Sequence, residues 1–382
     1  MTNQVSNRTQ RRLANHLCLN VLKAMKYHAI IAYSFVSKKA LALVQSLHLP
    51  IKSVRIIMKE NPVIELEFRN DYVSLEFEMG KNYKQIASLN DLPLNVNVFK
   101  GEEVHLAVTM SNQGMALREW IQHLCSISNK VKLHEAEFHI GDMQFDVQSL
   151  RNAFPKLRNI GIHGSRNETS EHETLNAQII LRAFLPYVKE VELISVNLGE
   201  NLTCEHIGIA NLKNLDFVHP KNFNFDCIFT LNAESCNIIT DQIPLRDLNR
   251  FFKLWVKQPN PRRRSLMISC DMETVPDWNV LLKGLKFEEI EKEAEEDDEE
   301  VEEDEEDEET GADEDEEEAD EEKAEDESES ETESDEELED EEVEGEGKKF
   351  LIRNCRGIHG QIEVKLFEGS ASVKFIVSKG YS

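Results

Sequence analysis

The sequence lacks the short motifs on which most enzyme active sites depend. It contains no glycine-rich phosphate loop, no G-x-S-x-G nucleophile elbow, no H-E-x-x-H pair and no kinase signature. The D-x-D-x-D-G spacing of a calcium loop is also missing. We therefore expect a protein that is not an enzyme, with no catalytic residue, no metal and no cofactor.

Metal-binding cysteine patterns and long apolar runs are missing as well. The seven cysteines form no C-x-x-C pair, and His134 and His139, which flank a predicted strand, are expected to be surface or core residues rather than ligands. No apolar run approaches the roughly 20 residues that span a bilayer, and the N-terminus does not resemble a signal peptide. These absences predict a soluble protein of the cytoplasm and/or nucleus, with no membrane partner.

The negative charge is concentrated in residues 288–346, where 42 of 59 residues are Asp or Glu. The whole chain has 43 basic and 73 acidic residues and a net charge of −30. Without the 42 acids and two lysines of this segment, 41 basic and 31 acidic residues remain, a net charge of +10. Because such a segment cannot bury enough apolar surface to fold, we predict a disordered acidic insertion.

The hydrophobic period changes between residues 11–48 and residues 51–110. In the first segment apolar residues recur at helical spacing, and Ser37 is a plausible N-cap. These short helices have no room for a large core of their own, so we expect them to bury their apolar sides against something else. In the second segment apolar and polar residues alternate, which predicts short antiparallel strands in a strand-rich linker region.

Residues 131–270 contain a weak repeat of the form L-x-x-L-x-L. This pattern predicts parallel strands that alternate with helices or loops, in an irregular leucine-rich-repeat-like array. An ordinary α/β domain with several similar strands is the alternative. The copies begin at Leu133, Leu157, Val188, Leu212 and Ile228.

A last helix at 245–256 and a strand at 263–269 precede the insertion, and further strands follow it in 348–382. Because the tail is structured, we expect the insertion to interrupt a domain. Trp120 and Trp255 lie on apolar helical stripes and are predicted to be core anchors. The predicted fold class is α+β or α/β.

Two clusters suggest charge-dependent roles. Arg262, Arg263 and Arg264 are the densest basic cluster outside the insertion. Alone they would suit a nucleic-acid or nuclear-import patch, but a cluster this small is more typical of a solvated turn, and no specific nucleic acid is expected. Within the insertion, four hydroxyl residues have an acid three positions later, the pattern favoured by acid-directed casein kinase: Ser328, Ser330, Thr332 and Ser334.

Three stretches carry a family resemblance: LCLNVLKAMKYHAIIAYSFVSKKALALVQSL (17–47), GMALREWIQHLCSI (114–127) and DLNRFFKLWVKQPNPRRRSLMIS (247–269). The first resembles the F-box of nematode F-box proteins. The second resembles the helix, centred on a Trp, that opens their F-box-associated type 2 domain. The third resembles the D-L-N-x-F-L-x-x-W-x-x-x-x-N-P-R element near the end of that domain, with agreement at Asp247, Leu248, Asn249, Trp255, Asn260 and Pro261.

The resemblance implies four segments: an F-box-like helical segment (11–48), a strand-rich linker region (51–110), an F-box-associated type 2 domain (114–287 with 348–382) and the disordered insertion (288–346). It also implies docking on the Skp adaptor of a cullin-RING ubiquitin ligase, and capture of an unknown protein substrate by the C-terminal domain. The residues expected to dock on Skp are Leu17, Leu19, Val21, Leu22, Ile30, Ile31, Ser37 and Lys38.

Departures from the F-box pattern leave a second function open. The usual Leu-Pro near the start is Leu13-Ala14 here, and the acidic positions after the Met are Lys26 and Ala29. A chain with a degenerate F-box would be a non-ligase binding protein that captures basic partners through its acidic tract. Co-purification with Skp distinguishes the two functions.

Overall fold

The computed structural model describes residues 16–82, 85–101, 105–128, 135–141, 144–154, 157–165, 171–197, 207–208, 210–257, 263–271, 276–290, 347–367 and 369–378. Residues 291–346 lie outside this part of the chain, and so do the four predicted phosphorylation sites in the insertion. Within the described residues no helix is long and apolar enough to cross a membrane.

The described strands join in one fifteen-stranded sheet, in the order β12-β13-β14-β15-β11-β10-β9-β8-β7-β6-β1-β2-β3-β4-β5. Strands β1 and β6 to β11 pair in parallel, while β2 to β5 and β12 to β15 are antiparallel extensions at the two ends. Their bounds are β1 Ser53–Met58, β2 Val63–Glu67, β3 Tyr72–Glu78, β4 Asn95–Lys100, β5 His105–Ser111, β6 Glu135–His139, β7 Asn159–His163, β8 Glu190–Ile194, β9 Asn214–Val218, β10 Ser235–Ile239, β11 Ser265–Asp271, β12 Phe287–Ile290, β13 Gly347–Arg353, β14 His359–Phe367 and β15 Ser370–Val377.

Helices precede the sheet and connect its strands. A helical stretch at 16–23 comes first. It is followed by α1 Tyr27–Ser34, α2 Lys38–Ser46, α3 Leu117–Ile127, α4 Val147–Ala153, α5 Glu171–Phe184, α6 Leu245–Lys257 and α7 Trp278–Leu282, with a 3-10 helix at Phe225–Phe229 between β9 and β10. The predicted cap is confirmed: Ser37 Oγ accepts a hydrogen bond from the amide of Ala40 at 3.1 Å, at the start of α2.

The two faces of the sheet differ in polarity. Alternate residues of the parallel strands, such as Phe138, Ile162 and Phe217, are fully buried in the apolar core, to which the helices contribute. The residues between them are mostly polar, and strand register aligns them on the opposite face. We call this side the polar face; its central residues are Arg55, Glu65, Glu135, Glu137, His139, Asn159, Gly161, His163, Glu190, Glu192, Asp216 and Asn237.

The mixed α/β class is confirmed, and strands occupy the alternating segments predicted after residue 51. Strands β1 to β5 fall within the strand-rich region predicted at 51–110, except for the last residue of β5. The repeat copy at Ile228 is wrong as a strand, because this segment forms the 3-10 helix and the loop after it, and the strand begins at Ser235. Residues 288–290, predicted to be disordered, belong to β12. The leucine-rich-repeat-like character and the division into four segments stay predictions.

The N-terminal helices pack on the chain's own body, in agreement with the expectation that they have no separate core. Tyr27 stacks on Phe68 with ring centroids 3.9 Å apart, and Phe35 lies 4.4 Å from Trp120 of α3. Ile31 is fully buried. The inner side of these helices is therefore part of the main core.

Helix α6 packs on β15 through a cluster of aromatic rings. Trp255 meets Phe375 edge-on with centroids 5.0 Å apart, and Phe252 lies 5.3 Å from the same ring. Gly360 of β14 completes the contact because it has no side chain: a Cβ there would lie 2.6 Å from Phe375 and 2.9 Å from Trp255. The close approach of α6 to the sheet therefore requires glycine at this position.

Gly360→Ala is expected to lower the free energy of unfolding by about 2 kcal/mol, because the added methyl group overpacks a fully buried aromatic cluster. Chemical denaturation of the full chain measures this change. The matched control is Gly80→Ala, where a Cβ meets nothing within 4 Å. An equal effect of the two substitutions would contradict the packing argument.

Candidate functional site

The predicted Skp-docking residues divide into a buried group and an exposed group. Leu22, Ile30 and Ile31 are at most 3% exposed and belong to the core, so these three are not accessible to a partner in this structure. Leu17 and Val21 are 58% and 63% exposed, one turn apart in the helical stretch 16–23. Of the others, Leu19 is half-buried and Ser37 and Lys38 are exposed.

A neutral histidine anchors these helices to α3. His123 Nε2 lies 2.8 Å from Ser34 Oγ at the end of α1, and its ring stacks on Phe35 at 3.9 Å. Burial lowers the pKa of His123 to about 4, so the imidazole is uncharged near neutral pH. This contact holds the inner side of the helices against the body.

The family-motif residues hold α6 in place. Leu248 and Trp255 are buried, as is Trp120 in α3, so the prediction that both tryptophans are core anchors is confirmed. Asn249 Nδ2 donates hydrogen bonds to the carbonyl oxygens of Leu281 (2.6 Å) and Lys283 (3.0 Å), which tethers the end of α7. Asp247 lies in the first turn of α6, where a carboxylate favours the helix dipole. The other two motif residues, Asn260 and Pro261, lie outside the described residues.

The arginine cluster at 262–264 is not simply a solvated turn. Arg263 is only 2% exposed, and its Nη2 donates to the carbonyl oxygens of Leu231 at 2.8 Å and Ile228 at 3.4 Å. The Ile228 carbonyl lies in the last turn of the 3-10 helix and the Leu231 carbonyl in the loop after it, and a cation interacts favourably with carbonyl oxygens at the end of a helix. Arg264 is exposed, and Arg262 lies outside the described residues.

An ion-pair network centred on Arg55 of β1 lies at one end of the polar face. Arg55 Nη2 lies 2.7 Å from Glu65 Oε2, and Arg55 Nη1 lies 2.8 Å from Glu137 Oε1. One guanidinium therefore bridges carboxylates on β2 and β6, the two neighbours of its own strand. Glu137 is buried, while the Arg55 side chain is 38% exposed, so water reaches the guanidinium end of this bridge.

Carboxylates accumulate further along the polar face. Burial raises the pKa of Asp216 to about 6, and the nearby Glu192 and Glu190 add to the shift. Burial also raises the pKa of Glu135, although Arg55 opposes the change. The centre of this face is thus acidic, in a body whose overall charge outside the insertion is positive.

Glu137, His139 and His163 are the described residues that could hold a metal ion, since one ligand atom from each lies within 4.8 Å of the others. They share the polar face, with Glu137 and His139 on β6 and His163 on β7. Burial lowers the pKa of His139, and the neighbouring His163 acts in the same direction. The sequence analysis predicts no metal ligand and does not single out this group. Polar residues at alternate positions of EAEFH and NIGIH are its only sequence signal.

A protein-family model described as F-box associated matches residues 203–268. The match covers β9, the 3-10 helix, β10, α6 and the first part of β11. It supports an F-box-associated domain in this part of the chain, whereas residues 17–47 and Trp120 lie outside it. No curated protein and no solved structure matches the chain.

Arg263→Ala is expected to lower the free energy of unfolding by about 3 kcal/mol, because it leaves a cavity and removes two buried hydrogen bonds of the guanidinium. Equilibrium denaturation provides the measurement. Arg264→Ala, at the exposed neighbouring arginine, should stay within about 0.5 kcal/mol of the parent. If both variants matched the parent, the buried guanidinium would have no structural role.

Asp216→Asn is expected to stabilise the protein near neutral pH. The folded-state pKa of about 6 exceeds the ordinary value of 3.8, so the ionised carboxylate destabilises the fold above pH 6, and this cost disappears as pH falls. After discounting for solvent screening, we expect a gain of about 1 kcal/mol at neutral pH that vanishes below about pH 4. Chemical denaturation across this pH range measures the gain in stability. The control is Asp241→Asn, because the Asp241 side chain is 95% exposed. A gain independent of pH would exclude this explanation.

Proposed function

We propose that the chain is a substrate-recognition adaptor of a Skp-cullin-F-box ubiquitin ligase. In this proposal the N-terminal helices bind Skp, and the sheet domain binds a protein substrate. The match of residues 203–268 to an F-box-associated family model carries the proposal. The chain itself performs no catalytic step, since ubiquitin transfer belongs to its ligase partners.

The exposed apolar side chains of the N-terminal helices support the Skp-binding part of the proposal. Leu17 and Val21 form an apolar pair on one side of a helix, and Val36, just after α1, is 73% exposed. Large apolar side chains that remain exposed in this way are typical of helices that bind in a partner's groove. The docking surface we propose consists of Leu17, Leu19 and Val21, with Ser37 and Lys38 at the start of α2.

The buried group contributes to docking indirectly. Leu22, Ile30 and Ile31 fasten the helices to the body, so their outer surface is presented in a fixed orientation. A surface that is already held in its binding conformation loses less conformational entropy on association. Leu22, Ile30 and Ile31 are therefore proposed as positioning residues, and their substitution would act through stability.

A reducing location in the cytoplasm or nucleus fits this role. None of the six described cysteines forms a disulfide bond: Cys18, Cys125, Cys227, Cys236, Cys270 and Cys355. Cys236 and Cys270 are buried, and burial raises the pKa of Cys236 to about 11, which keeps this thiol protonated and unreactive.

Binding of the purified full chain to a purified Skp adaptor, measured by titration calorimetry, tests the proposal. We expect micromolar or tighter affinity for the parent chain. Leu17→Ala with Val21→Ala should weaken it at least about tenfold, because buried apolar anchors carry much of the energy of such interfaces.

The matched control removes two exposed leucines from other helices, Leu175 of α5 (51% exposed) and Leu254 of α6 (43% exposed). Leu175→Ala with Leu254→Ala should leave the Skp affinity within twofold of the parent. If the parent chain does not bind Skp at micromolar concentration, the adaptor proposal fails. The alternative, a non-ligase protein that captures basic partners through residues 288–346, would then remain.

A further inference from the structure

The histidine pair on the polar face is created by the register of two parallel strands. His139 ends β6, His163 ends β7, and the two residues are direct neighbours in the ladder. Their rings stack with centroids 4.6 Å apart. Glu137 precedes His139 by two residues and so lies on the same face. Side chains from positions 24 residues apart in the chain thus converge at one point.

A notch in the face lies beside this pair. Gly161 of β7 is the register neighbour of Glu137 and Glu192 and has no side chain to fill the space between them. A Cβ at Gly161 would lie 3.1 Å from Glu137 Cγ, 3.4 Å from His163 Nε2 and 3.7 Å from Glu192 Oε2. The notch is therefore bordered by one imidazole nitrogen and two acidic side chains.

The buried ring nitrogen of His163 supplies an independent sign of a ligand. His163 Nε2 is shielded from solvent and has no hydrogen-bond partner among the described residues. The nearest carboxylate oxygen, Glu137 Oε2, is 3.7 Å away, too far for a hydrogen bond. Two ligands about 2.1 Å from a tetrahedral zinc ion are roughly 3.4 Å apart, so this gap is close to the separation that a shared ion requires.

We propose that Glu137, His139 and His163 bind one divalent transition-metal ion of the zinc class. Two imidazoles and one carboxylate suit zinc better than magnesium or calcium, which prefer oxygen ligands alone. A rotation of the His139 ring would bring its nitrogen into the coordination sphere. Glu192 borders the notch and is a candidate for a fourth ligand, a position that water can also fill.

Arg55 supports this site because it forms an ion pair with Glu137, one of the proposed metal ligands. It binds Glu137 through Oε1, which leaves Oε2 directed towards His163. Metal-bound carboxylates commonly have such an outer hydrogen-bond partner, which fixes their orientation. The positive charge of Arg55 is balanced by Glu65, so it does not by itself oppose a cation at Glu137.

The bound ion would link β6 to β7 and neutralise part of the acidic centre of the polar face. With three protein ligands, at least one coordination position faces outward and is open to water or to a donor atom from a bound protein. The proposal is independent of Skp binding: loss of zinc binding would leave the adaptor function untouched, and failure to bind Skp would leave the metal site untouched.

Zinc titration of the full, reduced chain tests the site. Millimolar magnesium is included because it competes for the carboxylate-only sites of the acidic insertion. We expect one zinc equivalent whose affinity falls at least about tenfold in His163→Ala and in His139→Asn. The second variant changes a side chain at the end of its strand, so it remains informative if the first fails to fold. Cobalt(II) should give visible absorption bands of an N/O site, without the thiolate charge-transfer band of a cysteine site.

His219→Ala is the matched control, because His219 also pairs with an acid, Asp241, at 3.5 Å, outside the notch. This variant should bind zinc as the parent does. Gly161→Ala should weaken binding, since the added methyl group enters the notch against His163 Nε2. The proposal is overturned if His163→Ala and His139→Asn keep the parent's zinc affinity, or if the cobalt spectrum is that of a thiolate site.

Discussion

A single sheet that buries one face in the apolar core is the constraint on which the rest of this structure depends. Each parallel strand places alternate residues in the core and the intervening residues on the other side, so the sequence of every strand must satisfy two environments at once. Phe138 and Ile162 satisfy the first, and Glu137 and His163 satisfy the second. Because parallel neighbours are in register, polar residues of separate strands form continuous rows across the sheet.

The same constraint explains the position of the N-terminal helices. Their inner side extends the apolar core through Ile31 and the ring contacts of Phe35 with Trp120, while Leu17 and Val21 remain outside. The segment thus combines a structural side and a side available to a partner. The sequence pattern of this segment shows which residues are apolar. It does not show which of them face the core and which face outward.

Features governed by local sequence could be predicted, and features governed by distant register could not. The Ser37 cap and the buried stripes of Trp120 and Trp255 follow from spacing within one helix. The burial of Arg263 depends on carbonyls more than 30 residues earlier in the chain, and the approach of His139 to His163 depends on how two strands align. At Ile228 the apolar spacing suits either a strand or a 3-10 turn, and Asn224, which caps that turn, favours the latter.

Strand β12 ends the sheet, and its position bears on self-association. It is exposed along its length and, among the described strands, pairs with β13 alone; residues 291–346 lie between these two strands in the sequence. An unpaired strand edge is a template for addition of a strand from another molecule. In the sequence this strand is followed directly by the densest negative charge of the chain, and repulsion between such segments in two copies opposes their association and weakens in concentrated salt.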